Sequence, residues 1–290
     1  KWLTALDAEQ ENLRAALDWT NAQQMAEKDL QLAAALGPFW RHRGHYSEGR
    51  QRLVAALEHN PEPSLLRAQA LLWAGILARS QGEMAEAQPF CTESLALFRR
   101  WNDGLGEAQA LENLGWTCSN ADRAEAIRCF QESLAIYRSQ GRTEDSGRLL
   151  TTLGQMAREE SNLEWAYNYL SEALQFVHSD NDAQGYARIL NGLAELASLA
   201  GDYEQTAHLL VRSLALLNSG GSRQDLAWIH CGLAENCWHR RAFSEGLTHG
   251  AVGAQIFREL GSDRGLLIAL HHLGLLWLAR ILDAAGSRAG

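Results

Sequence analysis

Proline is scarce in this chain. Four occur in 290 residues, at positions 38, 61, 63 and 89, which leaves about two hundred residues without the one side chain that cannot sit in a helix interior. Cysteine is also sparse. The five present, Cys91, Cys118, Cys129, Cys231 and Cys237, are odd in number and scattered, so a disulfide framework is excluded and free thiols in a reducing cytoplasmic setting are expected; no signal-peptide pattern opens the chain. Positive charge is outweighed, with 26 Lys and Arg against 35 Asp and Glu and a net charge of -9. A general phosphate-binding surface is therefore absent, and nucleic acid is not expected as a direct partner.

Long apolar runs are missing as well. The nearest is GLLIALHHLGLLWLA, residues 265–279, which His271 and His272 interrupt and which falls short of the roughly 18 to 20 residues of a membrane span. It is expected to be a buried helix of a soluble array, with no membrane partner. Catalytic signatures are lacking too: there is no G-x-S-x-G elbow, no H-E-x-x-H, no G-x-G-x-x-G and no G-x-x-x-x-G-K-[ST] loop. No enzymatic activity, cofactor or metal is expected.

What the chain has instead is helix-forming residues and a repeat. Hydrophobic residues make up 46%, and Leu, Ala, Glu, Gln and Arg recur at helical spacing, which predicts an all-α protein. A small-residue marker appears as Leu36-Gly37, Ala74-Gly75, Leu114-Gly115, Leu153-Gly154, Leu193-Ala194, Leu233-Ala234 and Leu273-Gly274, at steps of 38 to 40. A second marker keeps step with it: Ala16-Leu17, Ala56-Leu57, Ser94-Leu95, Ser133-Leu134, Ala173-Leu174, Ser213-Leu214 and Gly253-Ala254. Between them lie turn signals such as RGHY (43–46), QGEM (81–84) and AGDY (200–203), where Gly can take the left-handed conformation that ends a helix. Each unit is thus a helix, a tight turn and a second helix. Small residues let the pair approach closely, and a unit of this kind buries its apolar face only by stacking on neighbours. The markers predict one solenoid over 1–286: a half repeat with an opening helix (1–26), six repeats (27–63, 64–103, 104–142, 143–182, 183–222, 223–263), a terminal half repeat (264–286), and a disordered tail, 287–290.

These residues resemble the tetratricopeptide repeat (TPR). LENLGW (111–116) and AGDYEQTAHLLVRSLAL (200–216) follow its pattern most closely, and the likeness covers nearly the whole chain. It implies a right-handed superhelical solenoid. The period is nearer 40 than the family's 34, so helices or connections are lengthened. The third unit lacks its turn glycine, and Arg241 replaces glycine in the sixth, so those two turns are expected to be irregular. The opening, WLTALDAEQENLRAALDW (2–19), resembles the segment leading into TPR arrays of bacterial STAND-type ATPases and LuxR-like regulators. That likeness, with Leu266, Leu267, Leu270, Leu273, Leu276 and Trp277 crowding the last helix, leads us to expect a piece of a longer regulator.

In the TPR family the first helix of each unit lines a concave groove. Carrying that register onto this sequence places Arg41, His42 and Arg79 in the groove, then Gln109, Glu112, Asn113 and Trp116, then Arg148, Thr151, Gln155 and Arg158. Arg188, Asn191 and Glu195 follow, then Trp228, Cys231, Glu235, Trp238 and His239, and finally His271 and His272. Arg79, Arg148, Arg158 and Arg188 would make the central groove basic and suited to a carboxylate, a phosphate or an acidic peptide, unless they serve local ion pairs. Trp228 and Trp238 are either ligand platforms or packing between repeats.

The stretch AWIHCGLAENCWHRR (227–241) raises the question of a metal. Cys231 and Cys237 stand six apart, too far for a zinc-ligand pair, whereas Cys231, Glu235 and His239 share one helix face. Glu235 and His239 with Cys231 or His271 is the one coordinating set the register permits, and an ordinary Glu-to-His helix pair competes with it. The function expected from the resemblance is a protein-interaction and sensing module that binds a peptide or protein segment. A small-molecule sensor, of metabolite or carbohydrate, and self-association through the last helix are the alternatives.

Overall fold

A computed structural model describes residues 2–178, 182–218 and 220–286; the expected tail at 287–290 lies outside the described residues. Among the described residues there are fifteen helices and no strand. The chain divides into two compact units, Lys1–Arg142 and Thr143–Gly290. The first holds α1 (Trp2–Ala8), α2 (Gln10–Ala22), α3 (Ala26–Arg43), α4 (Tyr46–Glu58), α5 (Leu65–Ser80), α6 (Met84–Arg100), α7 (Gly104–Cys118) and α8 (Arg123–Ser139). The second holds α9 (Thr143–Glu159), α10 (Leu163–Ala173), α11 (Ala183–Leu199), α12 (Tyr203–Leu217), α13 (Arg223–His239), α14 (Phe243–Glu259) and α15 (Asp263–Gly286). In both units consecutive helices pack as helix-turn-helix pairs.

Helix starts are encoded locally. Asp103, Asp122, Asn162, Asp182 and Asp202 each accept a hydrogen bond from the backbone amide three residues on, which satisfies a donor that a helix N-terminus leaves open. The opening segment departs from a single helix: the chain breaks at Glu9 between α1 and α2, and an Arg43–Asp7 ion pair ties α1 to α3.

The two sequence markers meet inside each pair. A Cβ on Gly75 would come within 2.6 Å of the Cys91 sulfur, one on Gly115 within 2.8 Å of Phe130, and one on Gly154 within 2.7 Å of Leu170. Each of these three glycines is the socket for a knob from the second helix of its own pair, whereas Gly37 of α3 receives Trp73 of α5. The serines of the second marker are fully buried donors. The hydroxyls of Ser94, Ser133 and Ser213 donate to the carbonyls of Ala68, Ala108 and Ala187 at 2.8, 2.8 and 3.2 Å, stitching second helix to first. Burying a hydroxyl without such a partner would be costly.

The turns within pairs pass through left-handed residues: Gly44, Gly82 and Gly201 at φ 75°, 83° and 80°. Ser161 and Arg241 occupy the same place at φ 60° and 61°. The expectation of an irregular turn at Arg241 is therefore corrected. Its amide donates to the Trp238 carbonyl and that of Ala242 to Cys237, the bonding seen from Gly201 to Ser198 and from Asp202 to Ala197. The hydrogen bonds hold Arg241 in the glycine conformation at a cost of about 1 kcal/mol. In the third pair no residue takes positive φ, and the amides of Ala121 and Asp122 both return to the Cys118 carbonyl.

The expected burial of the last helix is also corrected. Only 17% of the window Asp263–Asp283 is buried, and this is the one helix among the described residues long and apolar enough, by length and composition, to cross a membrane. One side packs on α14, where Leu273 fills the notch at Gly250 and Leu276 that at Gly246. On the other, Leu267, Leu270, Trp277, Leu278 and Ile281 are exposed, and Gly274 has nothing within 4 Å of where its Cβ would stand. Apolar composition marked the helix as one to be covered, but no second helix packs on Gly274 as α6, α8 and α10 do on Gly75, Gly115 and Gly154.

Candidate ligand site

In the second unit, α11 and α13 stand side by side with α12 behind them. Between them lies a cavity of about 330 Å³, lined by Asn191, Glu195, Trp228 and Glu235, with the buried Leu210 and the exposed Leu199 as its apolar surface. Four residues that the groove register singles out thus meet around one space. The Trp228 ring is fixed edge-to-face on Phe257, centroids 4.8 Å apart, and keeps 37% of its surface exposed. Asn191 Oδ1 is buried and has no hydrogen-bond partner. Glu195 forms an ion pair with Arg158 of α9. No protein group pairs with the exposed Glu235 carboxylate among the described residues, and this carboxylate also borders a second cavity.

That second cavity, about 170 Å³, lies between α13 and α15 and is lined by Glu235, Trp238, His239, His271 and His272. Of the imidazoles there, His239 is engaged, whereas His272 keeps a buried Nδ1 with no hydrogen-bond partner and His271 is exposed. His239 stacks on Tyr203, rings 4.4 Å apart and 5° from parallel, and burial lowers the pKa of His272, with the nearby Glu235 charge opposing. Among the described residues no group of three His, Cys, Asp or Glu side chains could hold a metal ion. The set weighed from the sequence is not assembled, because Cys231 is buried against Gly253 while His239 turns to Tyr203. Burial pushes the Cys231 thiol up to about 11.

The other register residues are not brought to this site. Arg148 pairs with Asp145 at 3.2 Å and Arg158 with Glu195, so these two arginines serve local ion pairs and the expectation of a basic groove is corrected there. Arg188 is exposed, Gln155 is half-buried, and the Thr151 hydroxyl is spent on the Gly147 carbonyl. In the first unit Trp116 packs edge-on against Phe130 at 5.1 Å, Glu112 is buried and accepts from the Tyr137 hydroxyl, and Asn113 is buried and donates to the Gln109 carbonyl. Arg79 is half-buried near Cys91, and Arg41 and His42 are exposed at the end of α3. A further cavity in that unit, about 370 Å³, involves Thr20, Asp29 and His59, none of which the register indicates.

Leu199, Leu210 and Thr206 line the main cavity without a groove position in the sequence. Their signal is weak, since an apolar residue near the end of a first helix or on a second helix reads as ordinary packing.

Comparison with known proteins agrees with this geometry. The tetratricopeptide repeat model matches residues 66–139. The apo form of the quorum sensor NprR from B. thuringiensis superposes with a TM-score of 0.70 over 93% of this chain and 81% of that one, at 14% identity. The fold is that of a TPR solenoid. The assembly chaperone of RpL4, Acl4, gives a TM-score of 0.64 at 14% identity, covering 91% of this chain and 99% of that one. PilF of Pseudomonas aeruginosa gives 0.63 at 18%, covering 83% and 96%. No curated protein sequence matches the chain. None of these TPR likenesses indicates an enzyme family.

Proposed function

We propose that the chain is the protein-interaction and sensing module of a larger bacterial signal-transduction regulator, acting in the cytoplasm and capturing a peptide or protein segment on the α11–α13 face. The observation that carries this reading is the α11–α13 cavity, where a fixed, exposed indole stands beside the orphaned amide oxygen of Asn191. An extended segment presents one backbone N–H per residue, the donor Asn191 lacks, and side chains that cover an apolar surface. The likeness of the opening segment to regulator TPR arrays and the fold shared with a quorum sensor support the sensing role. The five buried free cysteines suit a reducing compartment.

Panning a random peptide display library against the protein tests this. Peptides recovered should lose about thirty-fold or more in affinity for W228A, the loss usual for a central aromatic anchor, and a further share for N191A. Recovery of no peptide, or peptides indifferent to both substitutions, sinks the reading.

A small-molecule sensor is the second reading, favoured by the cavity volume of about 330 Å³, at the lower end of the range of roughly 300 to 1,000 Å³ for small ligands. A metabolite at a hundred times its Kd should raise stability by about 2.7 kcal/mol in a thermal-shift screen.

For α15 we propose pairing with a second copy. Its open face is self-complementary about Gly274: in an antiparallel pair, Leu267 meets Ile281, Leu270 meets Leu278, and glycine meets glycine, so the backbones can close. Sedimentation of the wild type should show a dimer that L278D abolishes. A monomer in both, or binding to neutral lipid vesicles in place of dimerisation, removes the idea.

A further inference from the structure

The main cavity has a charge pattern that says what kind of side chain fits it. Its two charged groups are the carboxylates of Glu195 and Glu235, and the Asn191 amide oxygen is an acceptor without a partner; of the two hydroxyls on the lining, that of Thr206 is spent on the Asp202 carbonyl and that of Ser198 can donate or accept. Arg158, reaching across from α9, neutralises Glu195. Among the described residues no basic group forms an ion pair with Glu235, so the space keeps one negative charge at its mouth. One wall is the Trp228 indole, whose orientation Phe257 fixes and whose π-face attracts cations. The exposed Leu199 and the buried Leu210 supply the apolar surface along which the methylenes of a long basic side chain lie.

We infer that this cavity seats a cationic side chain, an arginine guanidinium or a lysine ammonium of the captured segment, between the Trp228 indole and the Glu235 carboxylate. The inference rests on the peptide-capture reading above and reverses the ligand charge that the arginine-bearing register implies. Each group has a distinct part. Glu235 supplies the counter-charge, Trp228 the cation-attracting wall, and Asn191 Oδ1 the acceptor for a guanidinium or backbone N–H. With Glu195 paired to Arg158, Glu235 is the one carboxylate of this cavity without an ion pair among the described residues, so the site takes one cation. An acidic side chain placed there would face two carboxylates and an amide oxygen, with the nearest guanidinium already engaged.

The test uses N-acetyl-arginine amide and its neutral, nearly isosteric counterpart N-acetyl-citrulline amide. Both are titrated into ¹⁵N-labelled protein while the indole N–H signals are followed, with that of Trp228 assigned by its absence in W228F. The arginine probe should shift the Trp228 signal saturably and citrulline should not. E235Q, an exposed substitution checked for an unchanged melting curve, should weaken the arginine response about ten-fold, as for loss of a charge-assisted hydrogen bond. Equal shifts with the two probes, or an E235Q response equal to wild type, overturn the inference. The peptide library separates this failure from failure of the underlying reading. Peptides recovered without Arg or Lys at a fixed position leave peptide capture standing and remove the cation site. A saturable arginine response with no peptide recovered leaves the cation site and removes peptide capture.

Discussion

The imidazoles of His230 and His249 face each other across the α13–α14 interface with their Nδ1 atoms 3.0 Å apart. One proton can lie between two such nitrogens, and a second would set two cations against each other. Burial, first, and for His230 the neighbouring imidazole hold both below the ordinary histidine value, with Glu245 opposing at His249. The unfolded chain takes up protons near the ordinary value of about 6.5, whereas the folded chain resists until lower pH, so in that window the unfolded state holds more protons. Stability contributed by keeping these rings neutral is full above about pH 6.5, falls as the pH drops through that value, and stops falling below the folded-state values. Urea midpoints measured from pH 8 to pH 5 should decline accordingly. H230N/H249N should flatten part of the decline and H272N a further part, because burial depresses His272 in the same direction. Parallel curves for wild type and the triple variant would rule the explanation out.

The marker glycines divide into two kinds. G115A and G154A drive a methyl into Phe130 and Leu170, at 2.8 and 2.7 Å, and should destabilise by about 1 to 3 kcal/mol through overpacking. G274A meets open space in a helix, and at concentrations where the chain is monomeric it should stabilise by up to about 1 kcal/mol from helix propensity alone. Denaturant titration of the three variants checks the opposite signs.

The turn residues Ser161 and Arg241 hold a conformation that favours glycine. S161G should raise stability by about 1 kcal/mol, as relief of a left-handed non-glycine residue. R241G should gain less, since it also gives up the exposed ion pair of Arg241 with Asp283 at 2.9 Å. Melting temperatures of the two variants beside wild type decide the ordering.

The thiols should be inert in the folded protein. All five are buried, and burial pushes Cys91 and Cys129 up to about 12 and Cys231 and Cys237 up to about 11. Iodoacetamide at pH 8 should leave the native chain unmodified and label five sites after denaturation, read by intact mass. Rapid native labelling at any position would mean that a helix pair opens readily there.

The sequence made the helix pairing legible because it depends on residue size at a fixed period. Gly75, Gly115 and Gly154 sit against second-helix knobs where the two markers place them. The second marker was legible only in part. Ser94, Ser133 and Ser213 read as small residues, while their role as donors to a carbonyl 25 or 26 residues earlier depends on which turn of the first helix lies opposite. Site chemistry was less accessible still. Asn191, Glu195, Trp228 and Glu235 were all named from the register, but the charge of the site was not, because Arg158 and Glu195 lie 37 residues apart and their pairing appears only when α9 stacks on α11. The burial of α15 was misread because apolar composition records that a surface should be covered, not whether a neighbour covers it.

Glu235 belongs to both cavities on α13, and it carries one charge. Two basic residues seated side by side in a bound segment would compete for it. The one displaced toward Trp238 would be left among imidazoles, and any of them that took a proton would repel it. With a cation seated at Glu235, such a surface would act as a spacing filter, favouring a lone basic residue followed by a neutral one over dibasic runs, by an antagonism between adjacent pockets that requires no motion of the protein.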